Sequence, residues 1–292
     1  WIDMLKFKLS YGSQGNDGIG SYRYTDVYSI RSSAGSVSVL FSSKGNKNIT
    51  WETNANLNVG FDFDFFHGRL GGSVDYFYRK TTDMLFSRPT PVSLGYSSYI
   101  DNIGDMVNKG IELDIHGTAI QTKNFRWDLN LNLTHMKNKV TKLPPEKNGG
   151  FQNGSYWIGE GKPLYTFYMR KYAGVNEHGE STWYKNAADG SMITTTDYAT
   201  ASYYECDEAD ADIYGGFGTT LSFFGVDVSV NFTYQVGGLV YDSGYAMFMG
   251  SPMSGDTGTN VHVDILKAWT PTNTASNIPR YQMGDQYSAS QS

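Results

Sequence analysis

The sequence predicts an all-β protein: a transmembrane antiparallel up-and-down β-barrel, present as an arc of a larger wall. Three observations carry this. First, residues 51–65 alternate by parity. Trp51, Thr53, Ala55, Leu57, Val59, Phe61, Phe63 and Phe65 hold the odd positions; Glu52, Asn54, Asn56, Asn58, Gly60, Asp62 and Asp64 hold the even ones. Period two makes a strand with one apolar and one polar face. At roughly 3.3 Å per residue it spans about 50 Å, whereas strands of globular proteins run to about 5–6 residues. Second, the links between strands alternate in length. Those at 66–69 and 119–124 are short, and those at 13–49, 86–104 and from 141 onward are long. Outer-membrane barrels sort their connections this way, with short periplasmic turns and long outer loops. A soluble sandwich, the alternative for one hairpin, has no reason to. Third, 22 Tyr, 33 Gly and 15% aromatics among only 18% charged residues favour strands over helices.

The elements follow in order. Leu5, Phe7, Leu9 and Tyr11 alternate with Met4, Lys6, Lys8 and Ser10 in a first strand ending at Gly12. Residues 13–49, rich in Gly, Ser and Asn, read as a long loop with room for a short strand. After the strand at 51–65 and its turn, Leu70, Gly72, Val74, Tyr76 and Tyr78 continue the apolar face, and Phe77 alone breaks the polar one. Residues 86–104, with Pro89, Pro91 and Gly95, form a second long loop. Val107–Ile115 and Phe125–Leu133 alternate again. Within 141–213, Leu164–Val175 has strand character, and Ser181–Tyr184 reads as a return arm after the turn at 176–179. These two add to the wall or form a hairpin in an outer loop. Strands resume at Phe217–Phe223 and Val226–Val236, with Gly225 as the turn; beyond Tyr241 the period is lost. About eight strands result, with a loop-like end at Ser292. Trp1 opens directly into a strand pattern, so the chain reads as an interior piece of something longer.

Composition excludes several classes of function. A net charge of −6 leaves no electrostatic footprint for nucleic acid, and a single cysteine, Cys206, excludes an internal disulfide framework. No nucleophile elbow, zinc-protease pair, Walker loop or dinucleotide loop is present, so neither an enzyme nor a bound cofactor is expected. Glu112, Asp114 and His116 share one strand face as metal ligands would, but polar residues lining a wet lumen are the ordinary reading. Glu205, Asp207, Glu208, Asp210 and Asp212 form an acidic run dense enough for Ca²⁺. It lacks the order and glycine of an EF-hand, and a solvated loop is favoured.

Several stretches carry a resemblance. Asn48-Ile49-Thr50-Trp51-Glu52, with Asn58-Val59-Gly60-Phe61-Asp62, and Asp75-Tyr76 with Lys80-Thr81-Thr82-Asp83, follow one pattern. Asn102-Ile103-Gly104-Asp105-Met106-Val107-Asn108-Lys109-Gly110-Ile111-Glu112 is the most specific match; Trp127-Asp128-Leu129-Asn130, Asn138-Lys139-Val140, Trp269-Thr270-Pro271 and Pro279-Arg280 continue it. The chain resembles the barrel of SusC/RagA-type TonB-dependent outer-membrane transporters over most of its length, with 141–213 divergent.

The resemblance implies a barrel of about 22 strands around an N-terminal plug, of which 1–292 would be the C-terminal portion of the barrel. A plug and TonB box are not found in these residues, nor are the closing strands expected after Arg280. It further implies import of a bulky nutrient, an oligosaccharide or a peptide, energised through TonB and capped by a SusD-like lipoprotein in the outer membrane. A structural or adhesive barrel without transport is the alternative. Tyr96, Tyr99, Tyr156, Trp157, Trp183 and Tyr184 in the long loops are the candidate contacts for solute or lid, because aromatic residues anchor interfaces and stack on sugars. Loop packing or an interfacial girdle is the competing role for such residues.

Overall fold

The computed structural model describes residues 1–33, 35–144, 147–250 and 260–282. In chain order the strands are β1 (Ile2–Asn16), β2 (Val27–Ser33), β3 (Ser36–Ser43), β4 (Glu52–Phe65), β5 (Leu70–Thr82), β6 (Leu85–Pro89), β7 (Ser98–Asn102), β8 (Asp105–Gln121) and β9 (Phe125–Lys142). There follow β10 (Gly150–Asn153), β11 (Tyr156–Gly159), β12 (Thr166–Arg170), β13 (Tyr172–Val175), β14 (Ser181–Asn186), β15 (Met192–Thr195), β16 (Tyr203–Glu208), β17 (Ile213–Phe223) and β18 (Val226–Val236). A short helix, α1 (Ser243–Phe248), comes after them. The chain divides into two compact units. One holds Trp1–Phe151, Ile158–Tyr165 and Asp210–Gly238; the other holds Gln152–Trp157, Thr166–Ala209 and Leu239–Ser292.

The first unit is built on a seven-stranded sheet in the order β1-β4-β5-β8-β9-β17-β18. Every neighbouring pair is antiparallel. Register carries the sequence alternation across the whole sheet. Phe7 stands opposite Phe61, Phe61 opposite Val74, Val74 opposite Leu113 and Leu113 opposite Leu133, giving one apolar row. A parallel row joins Leu5, Phe63, Gly72, Ile115, Leu131, Phe217 and Phe232. The reverse face is polar: Asp62, Ser73, Asp114, Asn132, Gly216 and Thr233 align there. Lys8 on that face bridges Asp62 at 2.6 Å and Asp75 at 3.0 Å. Among the described residues nothing covers the apolar face; Leu9 is 65% exposed and Phe217 47%. Exposed apolar area of this extent marks a surface made for something other than water. On β4 the apolar set from Leu57 to Phe65 runs about 26 Å at roughly 3.3 Å per residue, against a lipid-facing band of about 25 Å. Toward the long-link end the band closes on a row with Tyr11, Tyr78, Lys109 and Lys137. Near the short turns it carries Trp127, whose Nε1 donates to Thr219 Oγ1 at 2.7 Å. Cysteines placed at 54, 56 and 58 should react with a lumen-restricted, water-soluble thiol reagent more than cysteines at 57, 59 and 61. Equal labelling at both parities would reject the assignment of faces.

Phe77, the one break in the polar face, is 5% exposed. It lies over Gly110: a Cβ there would meet Phe77 Cζ at 2.7 Å and would also strike the His135 carbonyl. The glycine opens a socket for the ring. Gly110→Val should destabilise the wall by about 1–3 kcal/mol as an overpacking change, read from the denaturant midpoint of the refolded barrel.

Several boundaries differ from the sequence reading. β1 runs past Gly12 to Asn16, because Ser13–Asn16 pair in register with Glu52–Ala55; a partner's hydrogen bonds outweigh weak strand propensity. β8 and β9 extend to a turn of only a few residues, with a bulge between Thr118 and Ile120. The long links are not bare loops: 13–49 contains the β2–β3 hairpin and 86–104 the β6–β7 hairpin. Among the described residues the wall has seven strands, and β9 pairs directly with β17. The two extra strands of 141–213 therefore stay out of it. They belong to small sheets of their own, in the orders β10-β11-β12-β16 and β13-β14-β15.

Candidate functional site

The six aromatic candidates fall into two groups. Tyr96 and Tyr99 stand together in the β6–β7 excursion of the first unit, with ring centroids 6.2 Å apart, and Tyr96 leans on Phe41 of β3 at 6.1 Å. Arg88 Nη1 donates to the Tyr99 hydroxyl at 3.1 Å, and that hydroxyl donates to Asp101 at 3.3 Å. Arg88 also pairs with Asp101 at 2.6 Å. Burial, then the Asp101 charge, hold the Tyr99 hydroxyl above its usual pKa. Asn46 donates to Asp101 at 2.7 Å and thereby ties the stretch after β3 to β7. Asp26 accepts from the Gly45 N–H and pairs with Lys44 at 3.0 Å, and these hold its carboxyl below the usual range. The two hairpins so joined frame an open cavity of about 520 Å³ lined by Phe41, Lys44, Val92, Tyr96 and Tyr99 among others. It has the volume of a small-molecule site.

Tyr156, Trp157, Trp183 and Tyr184 belong to the second unit. Neighbours along a strand point to opposite faces, so Tyr156 and Trp157 part company. Tyr156 packs on Phe167 at 4.9 Å and Trp157 on Tyr168 at 5.0 Å. Tyr168 stacks on Tyr203 at 5.3 Å, and the Arg170 guanidinium lies between Tyr203 at 4.6 Å and Tyr198 at 4.3 Å. Arg170 spends donors on the Ala199 and Ala201 carbonyls, both at 3.3 Å. This aromatic and guanidinium ladder locks β12, β16 and the turn at 198–200 together. Trp183 is 2% exposed, with Tyr198 at 5.2 Å and Tyr172 at 6.2 Å. A side chain so enclosed offers a ligand no face. Tyr184 is half-buried with Lys171 Nζ 5.9 Å above its ring. Burial pushes the Tyr172 hydroxyl up to about 12, and it donates to the Asn277 carbonyl at 3.1 Å.

The late motif organises the same unit. Trp269 covers Gly179, where a Cβ would meet Trp269 Cδ2 at 2.8 Å, and Arg280 Nη1 donates to the His178 carbonyl at 2.9 Å. Sequence reasoning missed Phe41, Tyr168, Arg170 and Tyr198. The alternation of Tyr168 with Arg170 was the available signal. On the metal candidates, His116 Nδ1 lies 3.3 Å from Asp114; of the acidic run, Glu205 and Asp207 share one face of β16, Glu208 takes the other, and Asp210 and Asp212 lie beyond the strand. Among the described residues no three His, Cys, Asp or Glu side chains converge as a metal site would require.

Comparison with known proteins adds the following. The family described as TonB dependent receptor-like, β-barrel matches residues 1–243. The chain belongs to this family. TonB-dependent receptor P3 of Formosa agariphila is 31% identical over 96% of the chain, and SusC of Bacteroides thetaiotaomicron 32% identical over 55% of it. A structure titled "Structure of the RagAB peptide transporter" superposes with a TM-score of 0.83 at 29% identity, over 98% of the chain. The chain spans 30% of the Formosa receptor, 16% of SusC and 32% of the RagAB chain. The seven-stranded sheet is thus part of the wall of a TonB-dependent receptor barrel of the outer membrane, its apolar face toward lipid.

Proposed function

We propose that residues 1–292 form the C-terminal part of the barrel of an importer that takes up a bulky nutrient, an oligosaccharide or a peptide, driven through TonB. The observation that carries this is the sorting of connections along the seven-stranded wall. The links at 66–69 and 122–124 are short; the links between β1 and β4, between β5 and β8 and between β9 and β17 are long and carry strands of their own. A wall that only sealed the membrane would have no need of such elaborated links. In this reading the long links lie outside the cell and the turns in the periplasm. A surface lipoprotein of the SusD type caps the long links, since a specific interface buries at least about 1,000 Å² and short turns are too small to supply it. RagAB is titled a peptide transporter and SusC shares the family, so peptide and oligosaccharide both stay in view. Tyr96, Tyr99, Tyr156, Trp157 and Tyr184 are the proposed solute or lid contacts; Trp183, enclosed by Tyr172 and Tyr198, is left as a packing residue of its own unit.

Two experiments on the full-length parent test the reading. An epitope inserted at Gly95 should be detected on intact cells, and one at Gly68 only after permeabilisation; the reverse would overturn the orientation. Deleting 146–160 should weaken co-purification of the lipoprotein, or growth on oligosaccharide or peptide as sole nutrient, with the barrel still assembled. If both survive unchanged, this loop only packs and the site lies elsewhere.

A further inference from the structure

We infer that the outward face of the wall holds a specific site for one anionic phospholipid, near the short-turn end. The apolar face is not uniform there. Along one row Leu70 stands opposite Gly117 and Gly117 opposite Leu129; along the next, Ile115 stands opposite Leu131 and Leu131 opposite Phe217. Gly117 lacks a side chain, and the bulge after Thr118 brings in Ala119, nearly as small. Two small residues between larger ones leave a slot of about 710 Å³, lined by Leu70, Ile115, Leu129, Leu131 and Phe217 with Arg69 among its other walls. That volume lies within the range of roughly 300–1,000 Å³ seen for ligand pockets.

Position in the sheet makes the slot a permanent feature. It rests on β5, β8, β9 and β17, each with a neighbour on both sides in the order of the sheet. No further wall strand can cover it, and lipid is the medium it faces. A slot open to lipid fills with an acyl chain. Charge selects which lipid. Arg69 is exposed, and among the described residues its guanidinium has no hydrogen-bond or ion-pair partner. Its backbone is fixed, with the N–H on the Phe65 carbonyl at 3.1 Å and the carbonyl accepting from Thr118 at 2.8 Å. A held, unpaired guanidinium at the polar end of an apolar slot matches a phosphodiester, which it can grip with two parallel hydrogen bonds. The acyl chain lies between Leu70 and Leu129, and the phosphate on Arg69.

Native mass spectrometry of the delipidated full-length receptor, titrated with phosphatidylglycerol, tests this. One phosphatidylglycerol should be retained more tightly than the rest, and diacylglycerol with the same chains should not be. Arg69→Gln should weaken that retention about tenfold, as expected for loss of a charge-assisted contact. Ala119→Leu, which fills the slot and leaves the cation, should weaken it as well. Lys123→Gln, a cation on the neighbouring turn that does not line the slot, should leave it unchanged. Millimolar inorganic phosphate should not displace the lipid; displacement would mean an anion site without a chain. Equal retention of both lipids, or wild-type retention in Arg69→Gln and Ala119→Leu, would overturn the inference. None of these outcomes depends on the nutrient or the lid, so import can fail as a reading while this site stands.

Discussion

Leu113→Arg should cost about 2–4 kcal/mol of barrel stability, the expected price of an arginine on the lipid face at mid-membrane depth. Leu113 lies between Val74 and Leu133 in an apolar row that includes Phe7 and Phe61, with further apolar rows on either side. Asp114→Arg, one residue on, should cost far less, because that side chain faces the polar side beside Ser73 and Asn132. Depth should show as clearly as face. Leu57 stands in the row that already holds Lys109 and Lys137 on the same face. Leu57→Arg therefore falls near the rim, where the cost drops to about 0–1 kcal/mol. Denaturant titration of the full-length protein folded into bilayers measures all three. Equal costs at 113 and 114 would mean that this sheet has no lipid side.

The wall was legible in the sequence because one rule repeats on all seven strands. Side-chain period two fixes the face of each residue, and pairing preserves it across strands, so the alternation seen on β4 recurs on the other six strands of the sheet. Phe77 was legible as an exception but not explained, since its socket is Gly110 on another strand. The loops were less legible for a physical reason. Their strands are four to eight residues long, too short for alternation to stand out from chance. What holds them is not period but contacts distant in sequence: Asn46 to Asp101, Arg170 to Ala199, Trp269 over Gly179. The aromatic candidates were chosen by residue type in long links. Type does not distinguish a ring that supports a loop from a ring that meets a ligand, and Trp183 and Tyr184, adjacent in the chain, differ in that respect.

That difference gives the last prediction. Trp183→Ala should destabilise the second unit by about 3–5 kcal/mol, the usual cost of truncating a buried large aromatic. The ring is enclosed by Tyr172 and Tyr198, and its backbone pairs with Tyr172 on one side and Thr195 on the other. Its loss leaves a cavity where β13, β14 and β15 meet the turn at 198–200. Tyr198 also carries the Arg170 guanidinium, so loosening should spread into β12 and β16. The seven-stranded wall makes its own hydrogen bonds and should assemble as before. Limited proteolysis of the full-length protein in detergent would then cut within 166–209 faster in the variant, with the wall fragments intact. Tyr184→Ala supplies the contrast. A half-buried ring gives up less packing, so protease resistance should hold near wild type, while lipoprotein co-purification or uptake falls if the exposed side of that ring meets lid or solute. If Trp183→Ala leaves proteolysis unchanged, the tryptophan is not the keystone of these sheets, and its burial has another purpose.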